Sequence, residues 1–74
     1  MQKIDTYNLS RDQWEHLIDQ WVIGRNAERN RDILKRRLLD GYTYDHLEDV
    51  FYMSRPQIVR ICYKGQAQVF RHIK

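Results

Sequence analysis

The chain of 74 residues carries 13 Lys and Arg against 10 Asp and Glu, which gives a formal net charge of +3, and 42% of its residues are hydrophobic. A single domain with one core is expected at this length, the apolar content is too high for a disordered chain, and no apolar run approaches the roughly 20 residues that a membrane span needs. The polar start Met1–Asp5 is unlike a signal peptide and the single Cys62 excludes an internal disulfide, so a reducing cytoplasm is the expected compartment.

The first predicted helix follows a short arm. Residues 1–8 show no helical period and are expected to form a flexible N-terminal arm, which leaves residues 9–74 as the single folded domain. Ser10 and Gln13 match a capping box, which predicts a helix that starts after Ser10 and ends before Gly24. Its apolar residues have the spacing of one buried helix side: Trp14, Leu17, Ile18, Trp21 and Val22. We expect both tryptophans to belong to the core.

A second helix is predicted from Ala27 to about Asp40, with Asn26 as its cap. Its apolar row consists of Ile33, Leu34 and Leu38, with Leu39 beside it. The other sides of this helix are rich in bases: Arg29, Arg31, Lys35, Arg36 and Arg37. Asp32 precedes Arg36 by four residues, so we expect these two side chains to pair.

Two further helices are predicted between Thr43 and Lys64. Gly41 is suited to a left-handed helix stop and Thr43 to capping the helix that follows. The apolar row of that helix is Leu47, Val50 and Phe51. Only about three residues, 52–54, then precede the next helix start, which is too short for an antiparallel hairpin and fits two helices that cross steeply. This spacing is typical of a helix-turn-helix.

The second helix of this pair has three start signals. Ser54 is a suitable cap, Gln57 completes a capping box and Pro56 stands in the first turn, so the helix is predicted to begin at Arg55. The buried side is predicted to hold Ile58, Ile61, Cys62 and Gly65. The opposite side is predicted to hold Arg55, Pro56, Val59, Arg60 and Tyr63. Beyond Lys64, either the helix continues or a short additional helix follows a kink at Gly65.

Charge is distributed unevenly along the second half of the chain. Residues 38–53 contain four acids and no base, whereas residues 54–74 contain five bases and no acid. A charged run is most often only a solvated surface. Here the acid-free run coincides with the helix that the turn spacing places in an exposed position, and basic charge in such a helix neutralises nucleic-acid phosphates.

The stretch from Arg31 to Lys64 resembles region 4, the promoter-reading C-terminal region of sigma-70-type factors, and more broadly small bacterial and phage helix-turn-helix proteins. The resemblance covers roughly residues 26–66 and rests on these matches: Asp32-Ile33-Leu34, Arg37, Gly41, Thr43-Tyr44, Leu47, Met53-Ser54-Arg55, Ile58 and Ile61. Two residues depart from the family pattern, because Glu48 and Tyr52 stand where the family usually has Ala and Gly. We therefore expect a slightly opened helix crossing or a Glu48 side chain that is turned outward.

These observations predict an all-α bundle of four to five helices that contains a helix-turn-helix at residues 43–64. The resemblance implies sequence-specific binding of double-stranded DNA in bacterial or phage transcription regulation, with the helix from Arg55 in the major groove. The candidate DNA contacts are Ser54, Arg55, Pro56, Gln57, Val59, Arg60, Tyr63 and Lys64, together with Arg36 and Thr43. The alternative is a protein-interaction module that binds RNA polymerase or another regulator. Homodimer formation on two half-sites is left open.

No pattern in the sequence indicates an enzyme. His16, His46 and His72 lie far apart, and neither they nor Cys62 have the spacing of a metal site. There is no Gly-rich phosphate loop and no nucleophile with a matching base. We expect no catalytic activity, no cofactor, no metal and no small-molecule substrate.

Overall fold

A computed structural model of the protein describes residues 9–73, which form four α-helices and no strand. The helices are α1 (Arg11–Trp21), α2 (Ala27–Leu38), α3 (Tyr44–Phe51) and α4 (Arg55–Arg71). The all-α class is confirmed, and the helix count in this range is four. The arm predicted for residues 1–8 lies outside the described residues. Within residues 9–73, no helix combines the length and apolar character needed to cross a membrane.

Three helices start at the caps that the sequence predicts. The Ser10 hydroxyl accepts a hydrogen bond from the Gln13 backbone N–H at 3.2 Å, and the Gln13 side chain accepts one from the Ser10 N–H at 2.8 Å. The Thr43 hydroxyl accepts from the His46 N–H at 3.2 Å. At the start of α4, the Gln57 side-chain oxygen accepts from the Ser54 N–H at 3.1 Å. These bonds satisfy N–H groups that helix geometry leaves unpaired.

The connection between α1 and α2 differs from the prediction. Asn26 stands at the cap position of α2, but its φ of 60° is left-handed and its side chain makes no capping bond. Asn tolerates the left-handed conformation better than most residues. Asn26 therefore contributes to the turn before α2 by its backbone conformation and not by a capping side chain. Helix α1 already ends at Trp21, because Val22 turns extended while its side chain stays buried. Helix α2 ends at Leu38, two residues before the predicted end at Asp40.

The buried side chains form two clusters that share α2 and α4. The first cluster consists of Trp14, Ile18, Val22, Leu34 and Val69. The second cluster consists of Ile33, Leu47, Ile58 and Cys62. The neighbours Ile33 and Leu34 point into different clusters, so α2 lies between them. The first cluster joins α1 to the end of α4, and the second joins α3 to its beginning.

Among the residues predicted to be buried, Val50 is exposed and five are half-buried: Leu17, Trp21, Leu38, Phe51 and Ile61. Val50 is 37% exposed, because α3 has only eight residues and buries the narrow side that carries Leu47. Trp21 is half-buried rather than in the core. As the last residue of α1, it lies at the edge of the bundle, where its ring stacks on His72 with 3.5 Å between ring centroids. Trp14, by contrast, is 1% exposed.

The chain beyond Lys64 continues the same helix. Helix α4 runs unbroken to Arg71, which decides between the two alternatives left by the sequence. Gly65 is buried against α2, and a Cβ atom at this position would lie 2.9 Å from Leu34 Cδ2. Val69 enters the first cluster, and Phe70 meets Trp14 edge-on with 5.8 Å between ring centroids. The absence of a side chain at Gly65 therefore allows α2 and α4 to approach closely.

Candidate nucleic-acid interface

The connection between α3 and α4 is a three-residue turn, 52–54, as the sequence predicts. Tyr52 takes a left-handed conformation with φ of 55°, and its N–H donates to the Glu48 carbonyl oxygen. This is the position where the resemblance leads one to expect Gly, which adopts positive φ without steric cost. The Tyr52 side chain is 93% exposed, whereas Met53 packs on the second cluster.

Helix α4 presents the candidate residues on its solvent side. Seven of them are exposed: Ser54, Arg55, Pro56, Gln57, Arg60, Tyr63 and Lys64. Val59 is half-buried at the margin of this surface. On the opposite side, Ile58, Cys62 and Gly65 are buried and Ile61 is half-buried, so the predicted inward side is confirmed. We call the exposed surface from Arg55 to Lys64 the outer surface of α4.

A groove beside the outer surface brings in a base that the sequence did not single out. Arg25, in the loop between α1 and α2, lines this groove together with Arg60 and Lys64 of α4. The remaining lining residues include the amides Asn30 and Gln68 and no Asp or Glu. Within residues 9–73, none of the three cations takes part in an ion pair, so their charges are available to an anionic ligand.

Arg55 has a different environment from the other bases of α4. Its Nε donates to Glu48 Oε2 at 2.8 Å, and its Nη2 pairs with Asp45 Oδ1. Both acids belong to α3. The Arg55 side chain is nevertheless 52% exposed. The Glu48 carboxylate points to Arg55 and its side chain is 28% exposed, so it is turned outward as expected, while the opened helix crossing stays a prediction.

Arg36 and Thr43, the two candidates outside α4, are engaged within the fold. Arg36 Nε donates to Asp32 Oδ1 at 3.0 Å, which confirms the predicted pair, and Nη1 donates to the Tyr42 hydroxyl at 3.2 Å. The Thr43 hydroxyl is the cap of α3. Their contacts with DNA stay predictions, and any such contact would compete with these internal bonds.

The outward side of α3 has the opposite charge from the outer surface of α4. The Asp45 side chain is 81% exposed, and Asp49 is exposed without an ion pair in the described part of the chain. Val50 and Tyr52 add exposed apolar area next to these acids. The helix pair therefore offers two chemically distinct surfaces.

Cys62 lies wholly within the second cluster, and burial raises the pKa of its thiol to about 11. The thiol is consequently protonated and unreactive at neutral pH. In the range 9–73, no three His, Cys, Asp or Glu side chains come together in a way that could hold a metal ion. His46 stacks on Tyr42 with 4.1 Å between ring centroids, and His16 is exposed.

Comparison with known proteins gave no assignment: no protein-family model, curated protein or solved structure matched the chain.

Proposed function

We propose that the protein binds double-stranded DNA in a sequence-specific manner, with α3 and α4 acting as a helix-turn-helix and α4 entering the major groove from its Arg55 end. The observation that carries this proposal is the outer surface of α4, which has exposed bases and no acid. Arg60 and Lys64 keep their charges unpaired within the described residues. A cationic helix surface with free guanidinium and ammonium groups is suited to phosphates and base edges.

The groove with Arg25 supports the electrostatic part of this proposal. Arg25, Arg60 and Lys64 come from two separate elements and line one acid-free groove. Each phosphate that such a base neutralises releases counterions and contributes about −0.9 to the slope of log affinity against log salt. Arg60 is assigned to base reading below, so Arg25 and Lys64 supply two phosphate contacts in this groove, which give a modest affinity for one copy. Two copies on adjacent half-sites would strengthen binding and produce a palindromic target.

Base reading is assigned to the first turns of α4. An Arg side chain can donate two hydrogen bonds to O6 and N7 of guanine, which suits Arg55 and Arg60. Gln57 uses its side-chain oxygen in the cap, which leaves its amide N–H groups for an acceptor on a base. Val59 and Tyr63 supply apolar surface for thymine methyl groups.

The role in transcription regulation, in the cytoplasm of a bacterium or in a phage, rests on the resemblance to sigma-70 region 4. The three-residue turn and the left-handed residue at the Gly position of that pattern are compatible with it. RNA polymerase is a natural second partner for a domain of this kind.

One observation favours protein binding as a second candidate function. Tyr52 is 93% exposed and Val50 is 37% exposed, and both lie beside the acids of α3. An acidic surface with apolar side chains is unsuited to DNA and suited to a basic protein surface, such as one on RNA polymerase or a regulator. The two functions use different residues: DNA binding uses the outer surface of α4, and protein binding would use Asp49, Val50 and Tyr52, because Asp45 and Glu48 already pair with Arg55.

The two candidate functions are separated by selecting bound sequences from a pool of random duplexes. Affinity for the most enriched duplex is then measured across a salt series. DNA reading predicts an enriched motif, and log affinity that falls linearly with log salt. Equal recovery of all sequences, or binding that does not weaken with salt, would contradict the proposal. A palindromic motif would reveal a dimer.

A further inference from the structure

Arg55 is held on one edge of its guanidinium group by two carboxylates from α3. Its Nε donates to Glu48 and its Nη2 pairs with Asp45. No other base of α4 has an ion pair within residues 9–73. The contact therefore distinguishes the one base that stands at the very start of α4, beside the cap Ser54.

The chemistry of guanidinium makes this arrangement selective. The group has five N–H donors in one plane, and they form two edges that can each make a bidentate contact. One edge consists of Nε and one terminal nitrogen, and the other consists of the two terminal nitrogens. The carboxylates contact Nε and Nη2, and the side chain is 52% exposed. We infer from this that Nη1 and the second N–H of Nη2 are available at the second edge.

We propose that Asp45 and Glu48 are positioning residues that fix Arg55 so that its free edge faces a guanine in the major groove. This inference rests on the proposed DNA binding and deepens it, because it names the preferred base and the groups that orient the side chain. An unpaired arginine loses rotamer freedom when it binds, and a pre-oriented one loses less. The preference follows because O6 and N7 of guanine accept two parallel N–H bonds.

Asp45 and Glu48 are also expected to lower the affinity for duplexes that lack the preferred sequence. Two carboxylates around one guanidinium leave a local net charge of −1, which repels phosphates when no base contact compensates. Random duplex therefore gains little from Arg55, whereas the right sequence gains the bidentate contact. The expected result is a larger ratio of specific to random affinity at the expense of random affinity.

Helix α3 provides a matched control for a test. Asp49 is an exposed acid on the same helix without an ion pair in the described residues, so Asp49→Ala and Glu48→Ala each remove one negative charge. Fluorescence anisotropy would measure the affinity of each folded variant for the selected duplex and for a random duplex at one salt concentration. Glu48→Gln keeps a neutral acceptor for Nε and serves as the conservative variant.

The inference predicts that Asp49→Ala raises affinity for both duplexes by similar factors and leaves their ratio unchanged. Glu48→Ala should lower the ratio about tenfold, within the range by which a good bidentate contact discriminates between bases. Glu48→Gln should retain most of the ratio. In an Arg55→Ala background, Glu48→Ala should have no further effect on the ratio, since the two residues act as one unit.

Equal behaviour of Glu48→Ala and Asp49→Ala would overturn the inference, because the carboxylate would then act only through its charge. A ratio unaffected by Arg55→Ala would also overturn it and would leave DNA binding by the rest of α4 intact. If the unmodified protein selects no sequence and binds no duplex, the proposed function itself fails, and the inference fails with it.

Discussion

The two halves of α4 have different surroundings, although they belong to one unbroken helix. The first half, residues 55–64, buries Ile58 and Cys62 against α2 and α3 and leaves its bases in solvent. The second half, residues 65–71, buries Gly65, Gln66 and Val69, with Val69 in the cluster that contains Trp14 of α1. Both halves are therefore anchored in the core, and only the first half carries the outer surface to which the proposed function assigns DNA binding.

The largest expected effect comes from removing the anchor of the second half. Trp14→Ala should cost about 3 to 5 kcal/mol, because it deletes the largest fully buried side chain of the first cluster, and a domain this small has little stability to spare. Trp21→Ala should cost less, since that ring is half-buried at the rim. Urea denaturation followed by circular dichroism measures both. Equal losses for the two variants would contradict the assignment of the core.

A second variant tests the close approach of α4 to α2. Gly65→Val should destabilise by about 1 to 3 kcal/mol, because the added side chain meets the fully buried Leu34. The matched control is Ala67→Val, an exposed position two residues further on, where only the small helix propensity of Val changes. Thermal melts of both variants give the comparison. A Gly65→Val protein as stable as the unmodified one would show that this contact does not hold the second half.

Substitutions on the outer surface of α4 should change DNA affinity rather than stability. Lys64→Ala should leave the melting temperature nearly unchanged, weaken selected and random duplexes by similar factors and reduce the salt slope by about one unit. Arg71→Ala removes the same charge from the second half and is the control. An equal loss of affinity for the two variants would mean that net charge, rather than the first half of α4, determines binding.

A substitution at Gly41 tests the connection between α2 and α3. The φ of Gly41 is +74° and a Cβ atom there would meet nothing within 4 Å, so the cost of a substitution is conformational rather than steric. Gly41→Val should destabilise by about 1 to 2 kcal/mol and Gly41→Asn by less, because Asn tolerates the left-handed region better. Identical melting temperatures for the two variants would contradict this interpretation.

The smallest effect is expected from the Cys62 thiol beneath the first half. Because its folded-state pKa is raised from 9.0 to about 11, the thiol ionises in the unfolded chain first. Stability should therefore fall as pH rises from about 9 towards 11, by less than about 1 kcal/mol at pH 9.5. Comparison with Cys62→Ala across this pH range isolates the effect from that of other titrating groups. A constant stability difference between the two proteins would exclude an ionisation penalty at Cys62.

The features that sequence reasoning obtained are local ones. The caps at Ser10 and Thr43 and the helix start at Arg55 depend on residues within one turn of each other. The features it missed depend on how helices pack. Arg25 joins Arg60 only because the α1–α2 loop folds beside α4, and no periodicity connects them.

The exposed Val50 illustrates a second limit. A helical pattern gives the direction of a side chain but not the width of the surface that covers it. The carboxylates on Arg55 are within reach of sequence reasoning, since Glu48 departs from the family pattern and an acid one turn before a short connection can meet a base just after it. That contact was not predicted, because the geometry of the turn was needed to place it.

The most direct test of the division of α4 is an NMR titration of the ¹⁵N-labelled protein with the selected duplex. The proposed function predicts the largest amide shift changes between Arg55 and Lys64 and at Arg25, with small changes from Gln66 to Arg71. The largest changes in the second half of α4, or along α3 from Asp49 to Tyr52, would contradict the claim that the first half of α4 is the DNA-binding surface.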